Sequence, residues 1–110
     1  MKNDIINLIV VKKTPDQDGF EQETQIPTEV FADIRSIRST EFYQAAHEGI
    51  SVKIAAAINV DDYETAAVVD EITQKKTYPS LVDYEGTTYR IVRDYKTSKL
   101  RMELTLQEVE

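Results

Sequence analysis

Two stretches of this chain alternate apolar with polar or small residues at every second position, and that alternation constrains the fold more than any other feature. Over residues 50–58, Ile50, Val52, Ile54, Ala56 and Ile58 share one face, with Ser51, Lys53, Ala55 and Ala57 on the other. Over residues 100–107, Leu100, Met102, Leu104 and Leu106 oppose Arg101, Glu103, Thr105 and Gln107. A side-chain period of two belongs to a strand with one buried face; a helix would spread the same residues around its circumference. Residues 29–38 alternate as well, with Val30, Ala32, Ile34 and Ser36 against Phe31, Asp33, Arg35 and Ile37. Residues 5–11 are β-branched and apolar on both faces, which predicts a strand buried on both sides or one that meets another chain.

Turn chemistry separates these runs. Thr14-Pro15-Asp16-Gln17-Asp18-Gly19 combines a fixed φ, a capping carboxylate and a glycine, and residues 20–25 form a short polar returning strand. Pro27 marks a break before the next run. Residues 81–84, 87–95 and 99–106, joined by Glu85-Gly86 and by residues 96–98, read as a three-strand meander. Ser39-Thr40 supplies an N-cap and Gly49 a C-terminal stop, so residues 41–48 form a short helix with Phe42, Ala45 and Ala46 on its buried stripe. Residues 59–79 carry no clean period, only a weak helical turn around 65–72, and read mainly as a long loop. The expected fold is mainly β: a small antiparallel β-barrel or sandwich of about six strands. It carries one short helix at about 40–48 and a long loop at about 59–79, in a single domain over residues 1–110.

Composition narrows the function classes. At 110 residues, 41% hydrophobic and 30% charged, the chain is that of one folded domain. Lys and Arg total 13 against 20 Asp and Glu, a net charge of −7, which disfavours free nucleic-acid binding. There is no Cys for a disulfide, a thiolate nucleophile or a zinc site. The run at 5–11 is interrupted by Asn7 and is far shorter than the ~20 residues of a spanning helix, so no membrane association is expected and the default location is cytoplasmic.

Candidate chemistry is sparse. His47 is the only imidazole and sits beside Glu48 at the helix end, the position of a solvated cap residue. Asp61, Asp62 and Glu64 match no calcium loop, and a solvated acidic surface is the simpler reading. Asp18-Gly19 and Glu85-Gly86 are hairpin turns, because no Gly-rich loop leads into a helix. Tyr63, Tyr78, Tyr84, Tyr89 and Tyr95 suit barrel and interface packing better than base stacking. The expectation is a protein without catalytic residues, cofactor or metal. One asymmetry stands out. Residues 40–86 hold nine acids and three bases, a charge of −6, whereas residues 87–110 hold five bases and four acids, a charge of +1. That makes Asp61, Asp62, Glu64, Asp70 and Glu71 on one side, and Arg90, Arg93 and Arg101 on the other, candidates for contacts between neighbouring copies, or for lining a channel.

The order of the motifs resembles a known family. A Gly-bearing turn, Asp18-Gly19, comes first, followed by Ser39-Thr40-Glu41-Phe42-Tyr43-Gln44-Ala45, then Tyr84-Glu85-Gly86-Thr87-Thr88-Tyr89-Arg90-Ile91, and a Leu-rich closing strand at 100–106. This arrangement, from about residue 18 to 108, resembles the head–tail adaptor family of tailed bacteriophages, also called head closure, head completion or stopper proteins. Phe31 stands in the strand where the family often has a Trp, and the segment at 59–79 is long for it. The resemblance implies a small β-barrel with a short helix that assembles with copies of itself into a ring. The ring lies between portal or adaptor proteins and the tail, closing or extending the DNA channel without enzymatic activity. It also implies DNA passing without specific binding, and a location in the virion neck after assembly in the host bacterial cytoplasm. Another phage connector ring, such as a tail terminator, and a monomeric β-barrel binding module are the alternatives.

Overall fold

The strands wrap into a closed barrel in the computed structural model, which describes residues 4–15, 17–36 and 54–109. In chain order the elements are β1 (Asp4–Pro15), β2 (Glu21–Ser36), β3 (Ile54–Asn59), α1 (Val60–Ala66), β4 (Val68–Val69), β5 (Lys76–Thr77), β6 (Leu81–Tyr84), β7 (Thr87–Lys96) and β8 (Arg101–Glu108). Around the barrel the order is β1-β2-β3-β8-β7-β6, every neighbouring pair antiparallel, and β6 closes back onto β1. Closure leaves the barrel proper without a free edge. The expected mainly β fold is therefore what the chain forms. The expected helix at 40–48, with Ser39, Thr40, His47 and Gly49, lies outside the described residues.

The interior is built from the alternating sets. Ile6 and Leu8 from β1, Val30 and Ala32 from β2, Ala56 and Ile58 from β3, Val82 from β6 and Met102, Leu104 and Leu106 from β8 form one cluster. Val60, Tyr63 and Ala66 of α1 join it, so the helix plugs one part of the barrel with a stripe at every third residue. The two-sided reading of the first strand holds for half of it. On the outward set Ile9 is buried at 3% exposure, but Ile5 is 52% exposed, paired with the equally outward Phe31.

Three local readings need correction. Residues 59–79 are not a loop. They hold α1 and a small β4–β5 hairpin, because Asp61 and Asp62 favour a helix N-terminus and Val60, Tyr63 and Ala66 find core to cover. The helical turn thus falls at 60–66 rather than 65–72.

Pro27 does not break the chain. β2 runs through it as one strand, with Pro27 opposite Ile9. The Ile9 carbonyl accepts from the Ser80 amide, on the β6 side, so Ile9–Pro27 is a non-hydrogen-bonded pair of the β1–β2 ladder. The proline nitrogen then points to the outer flank of β2, where no described strand pairs before Asp33, and no ladder bond is lost.

Leu100, read as part of the closing strand's apolar face, stands in the bend before β8 and is 71% exposed. Its carbonyl accepts from the Val60 amide at the start of α1.

The β1–β2 ladder extends well beyond the barrel. It runs over twelve pairs, from Asp4–Ala32 to Pro15–Glu21, yet among the described residues β1 meets β6 only through Asn7–Ile9 and β2 meets β3 only through Asp33–Ser36. The distal pairs form an arm, and the molecule measures 48 × 30 × 24 Å. Its turn uses Gly19 at φ 84°, and the β6–β7 turn uses Glu85 and Gly86 at φ 49° and 79°, the two positive values a two-residue hairpin requires.

Candidate functional site

A β-bulge shapes the most distinctive surface. In β7, Ile91 pairs with Leu106 but Arg93 pairs with Thr105, so Val92 is an extra residue and the inward parity of the strand switches there. Before the bulge Ile91 packs against the core. After it Asp94 pairs with Leu104 and Lys96 with Met102, so two charged residues share the sheet face of core residues, while Tyr95 pairs with Glu103. Simple alternation from Tyr89 and Ile91 would have put Arg93 and Tyr95 on that face.

Asp94 and Lys96 thereby line a cleft of about 330 Å³ at the barrel end beside α1, together with Val60, Tyr63, Glu64, Tyr78, Tyr95 and Met102. Tyr63 and Tyr78 stack with ring centroids 5.4 Å apart and planes 14° from parallel. The Tyr78 hydroxyl donates to Glu64 Oε2 at 3.0 Å, and Lys76 Nζ lies 3.5 Å from the same oxygen. The Tyr95 hydroxyl donates to Glu103 at 2.8 Å. Burial, then the charge of Asp94 and the neighbouring Tyr78 and Glu64, push the Tyr63 phenol up to about 12. The Glu64 carboxylate accepting its proton raises Tyr78 as well. The cleft combines an aromatic block, an apolar floor, two carboxylates and one ammonium.

The candidate residues from the sequence fall in separate places. Asp61 and Asp62 occupy the first turn of α1. Glu64, on the same helix, is engaged by Tyr78 and Lys76. Asp70 is explained by local structure: its Oδ1 accepts from the amides of Ile72 at 2.8 Å and Thr73 at 2.9 Å, which organises the β4–β5 turn and holds its carboxyl below the usual range. Glu71 follows it in the turn, and Ile72 at the tip is 93% exposed.

Of the bases, Arg90 donates to Gln107 at 2.7 Å on the outer sheet. Arg93 is the first residue past the bulge and is exposed. Arg101 is used within the chain, donating to Asp33 at 3.0 Å, to Asn59 at 3.0 Å and to the Ala57 carbonyl at 3.3 Å. A second ion pair, Arg35–Glu103, likewise reaches across β3. Both crossings are possible because the intervening outward residues, Ala55 and Ala57, are small.

Sequence reading missed the Asp94–Lys96 placement, whose only signal was the Ile91-Val92 doublet that interrupts the alternation. It also missed a second, smaller cleft of about 220 Å³ where Lys12 and Lys13 of β1 meet Lys75, Thr73, Thr77 and Asp70 of the β4–β5 hairpin. Those lysines are some sixty positions apart and only the topology joins them. Among the described residues no group of three or more His, Asp or Glu gathers to hold a metal ion, and no helix is long and apolar enough to cross a membrane. No family model matches the chain, and no curated protein matches it significantly.

Proposed function

We propose that this protein is a structural ring component of the neck of a tailed bacteriophage, placed between portal and tail. The observation that carries the reading is the architecture. The chain makes a closed barrel, the fold that the ordered motifs of the resemblance imply, and from it a two-stranded arm projects. With its barrel edges used up, such a subunit joins its neighbours through faces and projecting segments. A ring needs two different surfaces in contact.

The acidic side is α1 and the β4–β5 turn, with Asp61, Asp62, Glu64, Asp70 and Glu71. The basic side is the outer surface of β7 with Arg90 and Arg93; Arg101 supports that side through its bonds to Asp33 and Asn59. In this reading the protein acts without catalysis, and DNA passes without sequence-specific contact, since a net charge of −7 repels phosphate.

The test is DNA retention. DNA-filled, portal-bearing heads lacking the protein leak their DNA to added nuclease, and purified protein should restore protection. Heads that stay equally leaky with saturating protein would count against a closing role. A monomeric binding module is the second reading, favoured by the aromatic cleft. In that case the protein leaves the heads unchanged.

A further inference from the structure

We propose that the cleft between α1 and the bulged end of β7 binds the guanidinium of an arginine presented by a protein partner. The proposal stands independently of the neck reading. The bulge at Val92 is its foundation, because it turns Asp94 and Lys96 to the sheet face of Leu104 and Met102, at the barrel end that α1 covers. Bulges at barrel rims commonly re-aim side chains in this way.

The aromatic geometry selects the class of cation. Tyr63 and Tyr78 are nearly parallel and in contact, so they form a single stacked block and not the opposing walls of a cage for a quaternary ammonium. A planar cation extends such a stack, and guanidinium is the planar cation that stays charged at every ordinary pH, unlike a histidine ring.

The carboxylates select its partner atoms. Glu64 is already engaged by the Tyr78 hydroxyl and Lys76, whereas Asp94 makes no hydrogen bond or ion pair in the described residues. Asp94 therefore offers both oxygens to a bidentate arginine contact. Lys96, on the same side, disfavours a second cation and so limits the site to one. At about 330 Å³ the cleft is at the small end of ligand cavities and suits one extended side chain with its stem over Met102 and Val60.

The chain has two methionines, Met1 and Met102, so ¹³C-methyl-methionine labelling of the whole protein gives a reporter on the cleft floor. Titration with the blocked tripeptide acetyl-Gly-Arg-Gly-amide should move the Met102 methyl saturably, with Kd on the order of 1 mM. The citrulline analogue, equal in shape but neutral, should give no saturable shift. Asp94→Asn should weaken binding by about fivefold. Asp61→Asn, an acid of α1 outside the cleft lining, should change it by less than about twofold. Equal binding of arginine and citrulline peptides would overturn the proposal. So would an unmoved Met102 methyl, an Asp94→Asn variant that binds as well as the parent, or tighter binding of choline than of the arginine peptide.

Discussion

Leu104 and Leu100 are the same residue type, four positions apart, and pure alternation puts both on one buried face. The structure separates them: Leu104 has no exposed surface, whereas Leu100 is 71% exposed. Leu104→Ala removes the equivalent of about three buried methylene groups, or roughly 2.4 kcal/mol of transfer free energy at about 0.8 kcal/mol each. The hole then lies between β3 and β7, where the neighbour on β3 is Ala56 and cannot reach across. A residual cavity term brings the expected cost to about 3–4 kcal/mol, in the middle of the range for buried Leu→Ala. Leu100→Ala should cost less than about 0.5 kcal/mol. Urea unfolding followed by circular dichroism measures both, provided m is unchanged between variants. A domain of this size has about 5–15 kcal/mol in total, so the Leu104 variant remains foldable and its midpoint moves visibly. Equal costs for the two alanine variants, or a Leu104 cost below about 1 kcal/mol, would refute the assignment of the closing strand and the closed core built on it.

Other outcomes follow from the same structure. The folded-state Tyr63 phenol at about 12 stands above its ordinary value of 10, so its contribution is complete below pH 10 and is lost as pH rises towards 12. After discounting for a hydroxyl that reaches the cleft, the loss is about 1–2 kcal/mol, and Tyr63→Phe should flatten the pH dependence of urea midpoints between pH 9.5 and 11.5, roughly the window set by the two values. Arg101→Leu strands Asp33, whose Oδ1 is already buried without a hydrogen-bond partner in the described residues, and should cost about 1–3 kcal/mol in urea unfolding. Asp33→Asn in that background should recover part of the loss. Asp70→Ala removes the acceptor for two amides of the β4–β5 turn, so hydrogen exchange at Ile72 and Thr73 should accelerate while barrel amides remain unchanged. Reversing Asp61 and Asp62 to Lys opposes the α1 dipole, at about 0.3–1 kcal/mol each, leaving a folded monomer that attaches poorly to heads; reversing Arg90 and Arg93 in turn should restore part of the attachment.

The barrel was legible because its strands obey the simplest rule available. Ile54, Ala56 and Ile58 and Met102, Leu104 and Leu106 alternate without interruption, and their shared face is the interior. The β6–β7 turn was equally plain, since Glu85-Gly86 supplies the backbone freedom its two residues need. Reading failed where tertiary context outweighs local pattern. Pro27 is tolerated because its nitrogen faces a flank that no described strand pairs, which depends on where β3 stops pairing. Three buried residues in seven define α1, too short a stripe to stand out among Asp61, Asp62 and Glu64. The cleft was least accessible of all. It needs Val92 to shift parity in one strand and Tyr63 to meet Tyr78 across fifteen residues of chain. Pairing Asp61–Glu71 with Arg90–Arg101 on charge alone missed that Arg101 already has partners within its own subunit.

Purified protein mixed with DNA-filled, portal-bearing heads that lack it, followed by electron cryo-imaging of the neck, addresses the central claim most directly. A subunit that builds the neck adds a ring of barrel-sized density beneath the portal, coaxial with the channel, and such heads then accept tails. Heads whose necks look the same with and without saturating protein, and that bind no more tails, would contradict the account.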